Sequence, residues 1–197
     1  MTFNPLLYRT AGMKQKGKII VIAAPSGCGK TSVIKRFLAD HDNAQHSISC
    51  TTRPMRPGET NGKDYHFLDP KDFGEKIAKD EFAEWAEVHE HHYGTLKSTL
   101  DEAIENGVNL FLDLDVVGSF NLKEMYGDDA IAIFLAPPSM DELERRLVDR
   151  KTDSEEQLKI RLNNAVKEMT YKDRFDHLVV NDVLDDAYRK IEGIITS

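Results

Sequence analysis

Residues 24–32, namely Ala24, Pro25, Ser26, Gly27, Cys28, Gly29, Lys30, Thr31 and Ser32, hold the densest set of groups suited to an anion. Their spacing approaches G-x-x-x-x-G-K-[ST], with Ala24 in the place of the first glycine. A loop of this kind gathers backbone N–H groups at a helix N-terminus, where the peptide dipoles also favour negative charge. Glycines at 27 and 29 let the chain wrap closely, because no Cβ intervenes. Lys30 can reach terminal phosphates, and the Thr31 hydroxyl can ligate Mg²⁺. Alanine is the smallest replacement for glycine and precedes the wrap, so the loop is expected to hold a polyphosphate.

Other residues extend this chemistry. Asp113 ends the apolar run NLFLDLD (109–115), at the edge where parallel sheets bind ligands. It is expected to hold Mg²⁺ through water or to orient an acceptor phosphate, with a helix-capping aspartate as the alternative. Asp115 is expected on the same strand face. Arg53 and Arg56 offer planar forks that match phosphate, in a segment stiffened by Pro54 and Pro57; a solvated surface loop is the alternative. Arg145, Arg146 and Arg150 close one helical segment and Arg161 lies on the next, a helix–loop–helix arrangement that can fold over a bound triphosphate. His89, His91 and His92 lack the four ligands of a closed zinc site and read as loop histidines. Cys28, beside amides and Lys30, is a candidate for redox or alkylation chemistry.

The elements that must position these groups alternate between short apolar runs and helical periodicity, the pattern of an α/β layer fold with a parallel sheet. KIIVIAA (18–24), NLFLDLD (109–115), AIAIFLA (130–136) and HLVVND (177–182) read as four strands. A helix is expected from Lys30 to about Ala39, and a last one from about Leu184 to Ile195. Ser139 with Glu142, and Ser154 with Gln157, read as capping boxes. Residues 50–97 read as a small mixed insertion.

The chain has 197 residues and a formal net charge of −8, which opposes non-specific binding to nucleic acid or an anionic membrane. No apolar run reaches the length of a membrane span. Two cysteines far apart, with no CxxC pair, suit a reducing cytoplasm. Residues 1–17 read as a loosely ordered basic extension without a signal-peptide core.

The segment SCTTRPMRPGETNGKDYHF (49–67), with APSGCGKTS, EFAEWAEV, HYGT, LDLD and VVND, resembles the guanylate kinase family from about Lys18 to the C-terminus. The resemblance implies a P-loop three-layer fold whose core comprises 18–48, 97–138 and 170–197, with a GMP-binding region at 49–96 and a lid at 139–169. It implies transfer of the γ-phosphoryl group of ATP to GMP and dGMP with Mg²⁺, in purine nucleotide metabolism; monomer and homo-oligomer stay open. Tyr65 and Tyr93 would join Arg53 and Arg56 at the acceptor phosphate. Glu84 would accept from guanine N1–H and N2–H₂, Ser49 and Thr95 would donate to O6, and Asp115 would back the exocyclic amine. Arg146, Arg150 and Arg161 would stabilise the triphosphate and transition state beside Lys30. Asn181 and Asp182 would contact adenine or its surrounding loop. Two departures stand out: Val117 replaces a frequent glutamine, and Lys151 a frequent glycine. A kinase for another nucleoside monophosphate is the rival among enzymes. A non-catalytic scaffold domain is the other, opposed by the intact loop.

Overall fold

The structure, a computed structural model, describes residues 16–149 and 154–197. Residues 1–15 of the expected extension, and Arg150 and Lys151 of the expected lid, lie outside them. In chain order the main elements are β1 (Ile19–Ala23), α1 (Lys30–Asp40), β2 (Ala44–His46), β3 (Cys50–Thr51), β4 (His66–Phe67), α2 (Pro70–Ala78), β5 (Phe82–Val88), β6 (His91–Leu96), α3 (Lys97–Asn106), β7 (Asn109–Leu112), α4 (Val116–Tyr126), β8 (Ala130–Ala136), α5 (Met140–Asp149), α6 (Glu155–Met169), β9 (His177–Val180) and α7 (Leu184–Thr196).

Five strands form a parallel sheet in the order β2-β7-β1-β8-β9. β1 is buried on both faces, which its unbroken β-branched sequence requires. Ile20 and Ile22 point to one side and pack with Val33, Phe37, Phe111, Ile133, Tyr188 and Ile191, under α1 and α7. Ile19 and Val21 point to the other and meet Leu100, Ile104, Leu110, Leu112 and Leu122, under α3 and α4. The period-2 alternation of one strand thus builds both apolar layers of the three-layer core.

The four strands expected from sequence are all present. The fifth, β2, is a short edge strand whose sequence, AQH, carries no alternating apolar signal. A second sheet, ordered β4-β3-β6-β5, occupies the insertion, and α2 packs on it through Phe73, which stacks on Phe82 at 4.4 Å between ring centroids. β5 and β6 form a hairpin whose turn residues, His89 and Glu90, have φ of 49° and 67°. That is the two-residue turn that suits strand twist. The expected histidine loop is therefore this turn plus the start of β6, where His92 packs 5.4 Å from Phe73 and 5.9 Å from Trp85. Among the described residues no cluster of three side chains is arranged to hold a metal, and no helix is long and apolar enough to cross a membrane.

Candidate active site

The glycine loop leaves the C-terminal end of β1 and enters α1 at Lys30. Gly29 caps the helix in the left-handed region, with φ 88° and no side-chain cap. The Ser32 and Val33 amides return to the Gly29 carbonyl at 3.0 and 3.1 Å. Among the described residues no protein acceptor takes the amides of Gly29, Lys30 or Thr31, so the helix end keeps donors for an anion.

Asn181 braces the loop from beneath. It is 4% exposed, its Nδ2 donates to the Cys28 carbonyl at 2.7 Å, and a Cβ on Gly29 would fall 2.5 Å from that same atom. One hydrogen of its amide thus holds the loop's shape, at the strand end where the resemblance set a contact with adenine or its surrounding loop. The expectation for the Cys28 thiol is corrected. Cys28 is 1% exposed and packs with Leu143, Leu147 and Ala165, so burial removes it from the reagents its sequence position suggested.

A cleft of about 450 Å³ opens over residues 24–32 and is closed on its far side by Asp113, Leu114, Asp115 and Glu168. Lys30 and Asp113 form an ion pair across it. Thr31 is exposed and lines this cleft, so its hydroxyl and the Asp113 carboxylate are among the protein oxygens facing it. Two such ligands suit Mg²⁺, which fills its octahedron with phosphate oxygens and water.

Asp115 does not continue a strand beside Asp113. β7 ends at Leu112, and Asp115 is the N-cap of α4, accepting the Gly118 amide at 2.7 Å. The helix-capping role weighed for Asp113 belongs to Asp115, because the chain has already left the sheet.

The second cleft, about 440 Å³, lies between the insertion and the sheet edge, and Ser49, Lys63, Tyr65, Thr95, Asp113 and Leu114 are among its walls. Asp113 and Leu114 are common to both clefts. Glu84 stands behind Thr95. A bulge shifts the β5–β6 register between Phe82 and Glu84, so that Glu84 pairs with Thr95. Thr95 Oγ1 donates to Glu84 Oε1 at 2.7 Å. Gly94 is needed beside this bulge, since a Cβ there would lie 2.9 Å from the Glu84 carbonyl. Burial pushes the Glu84 carboxyl above its ordinary range; the Thr95 hydrogen bond opposes this, and nearby Asp115 adds to it.

At the other end of the insertion, Arg53 is buried and paired with Glu59, its Nη2 at 2.7 Å from Oε1. Arg56 is exposed, and Tyr65 and Tyr93 meet edge to face with centroids 5.9 Å apart. Tyr93 is a further polar neighbour of the Arg53 guanidinium. Val117 lies in a groove with Glu84, Asp115 and Asn121, where the Asn121 carboxamide stands one turn further along α4.

α5 and α6 pack as a pair over the glycine loop, with Leu143 and Leu147 against Gly27. Ser139 Oγ accepts the Glu142 amide at 3.1 Å, half of the expected capping box; the Glu142 carboxylate turns instead to Arg145 and Arg146, which hold it down at about 2. The Ser154–Gln157 box is complete. Arg146 reaches the Asn181 and Asp182 carbonyls at 2.9 and 3.2 Å, whereas Arg161 donates to Ser26 Oγ at 3.0 Å, directly at the loop. Glu168, two turns after Arg161 on the same helix face, was not singled out from sequence, although that i, i+7 spacing was its available signal. Glu59 was missed too, despite standing three residues after Arg56 in a Pro/Gly loop.

Fold and site together define a class: a P-loop α/β phosphotransferase, in which an anion-binding loop faces a cleft built by an insertion in the same chain. The guanylate kinase family model matches residues 16–197, and the chain belongs to that family. It is 47% identical over 183 residues to the guanylate kinase of Syntrophotalea carbinolica, covering 93% of this chain and 87% of the relative. With the Thermotoga maritima guanylate kinase it shares 44% over 182 residues, covering 92% and 87%. The crystal structure of guanylate kinase from Anaplasma phagocytophilum is 32% identical, with a TM-score of 0.68 over 93% of this chain and 86% of that one.

Proposed function

We propose that the protein transfers the γ-phosphoryl group of ATP to GMP, and also to dGMP, giving ADP and the nucleoside diphosphate. The observation that carries this reading is the meeting of two clefts at Asp113 and Leu114, one floored by the glycine loop and the other walled by the insertion. A donor triphosphate in the first and an acceptor monophosphate in the second would bring their reacting ends to one place.

An oxygen of the acceptor phosphate attacks the γ-phosphorus, the bond to the β,γ-bridging oxygen breaks, and its electron pair leaves on ADP. The attacking oxygen is already anionic, so no side chain has to remove a proton. Catalysis is then alignment and neutralisation of spreading charge. Amides of residues 27–31 hold the donor phosphates, and Lys30 exchanges Asp113 for a phosphate oxygen. Arg161 approaches from α6, and Arg146 and Arg150 complete the lid's positive charge. Thr31 and the released Asp113 would hold Mg²⁺, which when bound neutralises charge between the β- and γ-phosphates.

Arg53, Arg56, Tyr65 and Tyr93 receive the acceptor phosphate, while Ser49, Thr95 and Glu84 take the base. Guanine presents donors at N1 and N2 where adenine has no N1–H, so a carboxylate accepts from one base and is left unpaired by the other. Asp182 borders the adenine end, and Asp115, bound to its own helix, acts near Glu84 through charge. Measuring ADP formation with GMP, dGMP, AMP, CMP and UMP tests the reading. GMP and dGMP should lead, and a faster reaction with AMP would overturn the base assignment.

A further inference from the structure

We propose that Glu59 is a positioning residue for the acceptor phosphate, holding Arg53 so that one edge of its guanidinium is presented to the acceptor. The inference rests on the reading of the second cleft as a monophosphate site. A guanidinium carries five N–H donors. Glu59 takes two, one from Nη1 at 3.0 Å and one from Nη2 at 2.7 Å, and the Pro54 carbonyl takes the second of Nη1 at 2.9 Å. What remains is the Nε–H and the second Nη2–H, with Tyr93, itself expected at the acceptor phosphate, as a further polar neighbour of the guanidinium. The two N–H groups lie side by side and form the fork that matches two oxygens of a phosphate.

The same carboxylate sets the rest of the loop. Glu59 Oε2 also accepts the Arg56 amide at 2.8 Å, and the Glu59 amide returns to the Arg56 carbonyl at 3.1 Å. One side chain therefore closes residues 53–59 on themselves, tying the guanidinium of Arg53 to the backbone of Arg56. The Arg53 side chain is 9% exposed, with the rings of Tyr65 and Phe67 centred 5.4 and 5.7 Å from its guanidinium carbon. So enclosed a group has little room to search for a ligand, and its direction has to be set before the ligand arrives, as in other preorganised receptors.

The opposite role would be an internal competitor, a carboxylate that the incoming phosphate displaces. Displacement would strand Glu59 beside a dianion and would leave the Arg56 amide without its acceptor. Both are costs that the unused edge of Arg53 avoids.

The test compares wild type with Glu59→Ala and Glu59→Gln at saturating ATP. It measures the KM for GMP, kcat, and the inhibition constant of guanosine, which carries the base but no phosphate. Loss of the charge-assisted bonds should raise the KM of Glu59→Ala about 10- to 100-fold, with kcat changed far less and the guanosine constant unchanged. Glu59→Gln, whose carbonyl still accepts, should fall between the two. An unchanged or lower KM in Glu59→Ala would overturn the proposal in favour of a bystander or competitor. Equal weakening of GMP and guanosine would overturn it in favour of a purely structural loop. If wild type prefers another monophosphate, the acceptor reading fails separately, and Glu59 is judged by that monophosphate against its own nucleoside.

Discussion

Glu84 stands where two demands conflict. In its proposed role it must meet guanine as a carboxylate, yet burial favours the carboxylic acid, and the net effect raises its pKa above the ordinary value of 4.5. Acidification should therefore weaken GMP binding at a pH higher than an exposed glutamate would dictate. The KM for GMP should climb as pH falls through this raised value, while the KM for ATP stays flat. Glu84→Gln should abolish that acid limb and leave GMP binding weak at every pH; an unchanged limb would assign it to another group. The linkage has a second consequence. A carboxyl whose folded pKa is raised contributes stability that is present below its unfolded value and lost as pH rises through the folded one. At neutral pH, Glu84→Gln should accordingly raise the Tm of the free protein, a gain in stability bought with recognition.

At the scale of elements, the strand–loop–helix unit was legible from sequence almost to the residue, because β1 is a pure apolar run and Lys30 opens a helix with Val33, Ile34 and Phe37 inward. What holds the loop in shape was not legible. Asn181 lies 153 positions from Cys28, and nothing local marks it as a brace. Gly29→Ala tests that arrangement: it places a methyl 2.5 Å from Asn181 Nδ2 at a φ of 88°, where alanine costs about 1–2 kcal/mol before any clash. The expected result is a Tm lower by several degrees and a KM for ATP raised about tenfold or more. A normal KM would mean that the loop rearranges freely. Two further elements escaped for physical reasons. β2 is a polar edge strand made by its neighbour β7, and α2 is a nine-residue helix that fully buries only Phe73, so few apolar residues announce it even though Asp69 and Pro70 signal its start. Asp115 was misplaced because LDLD continues the strand's alternation past the point where pairing ends.

At the scale of the molecule, the two clefts are built by different parts of the chain and, among the described residues, share only Asp113 and Leu114. Lys30→Ala should consequently reduce kcat by about 10²- to 10³-fold and leave GMP affinity, measured by direct titration, nearly intact. A large loss of GMP affinity would show that Lys30 supports the acceptor side through its pair with Asp113. The parallel sheet, the glycine loop with Lys30 and Thr31, Asp113, Arg53 and Arg56 could be read from order and spacing, whereas Ser49, Tyr65, Glu84, Tyr93, Thr95, Asn181 and Asp182 entered only through the family resemblance. The partners of those residues could not, since Lys30 with Asp113, Arg161 with Ser26 and Arg146 with the carbonyls of 181–182 are joined only by the folded chain.

The brace beneath the glycine loop also imposes an order of events. Residues 24–32 are among the first of the described chain to be synthesised, but the amide that secures them arrives with the last strand of the sheet. A nascent chain that has exposed the whole loop still lacks its support until β9 docks beside β8. On the function proposed above, tight binding of ATP would be a late acquisition, gained only once β9 has docked beside β8.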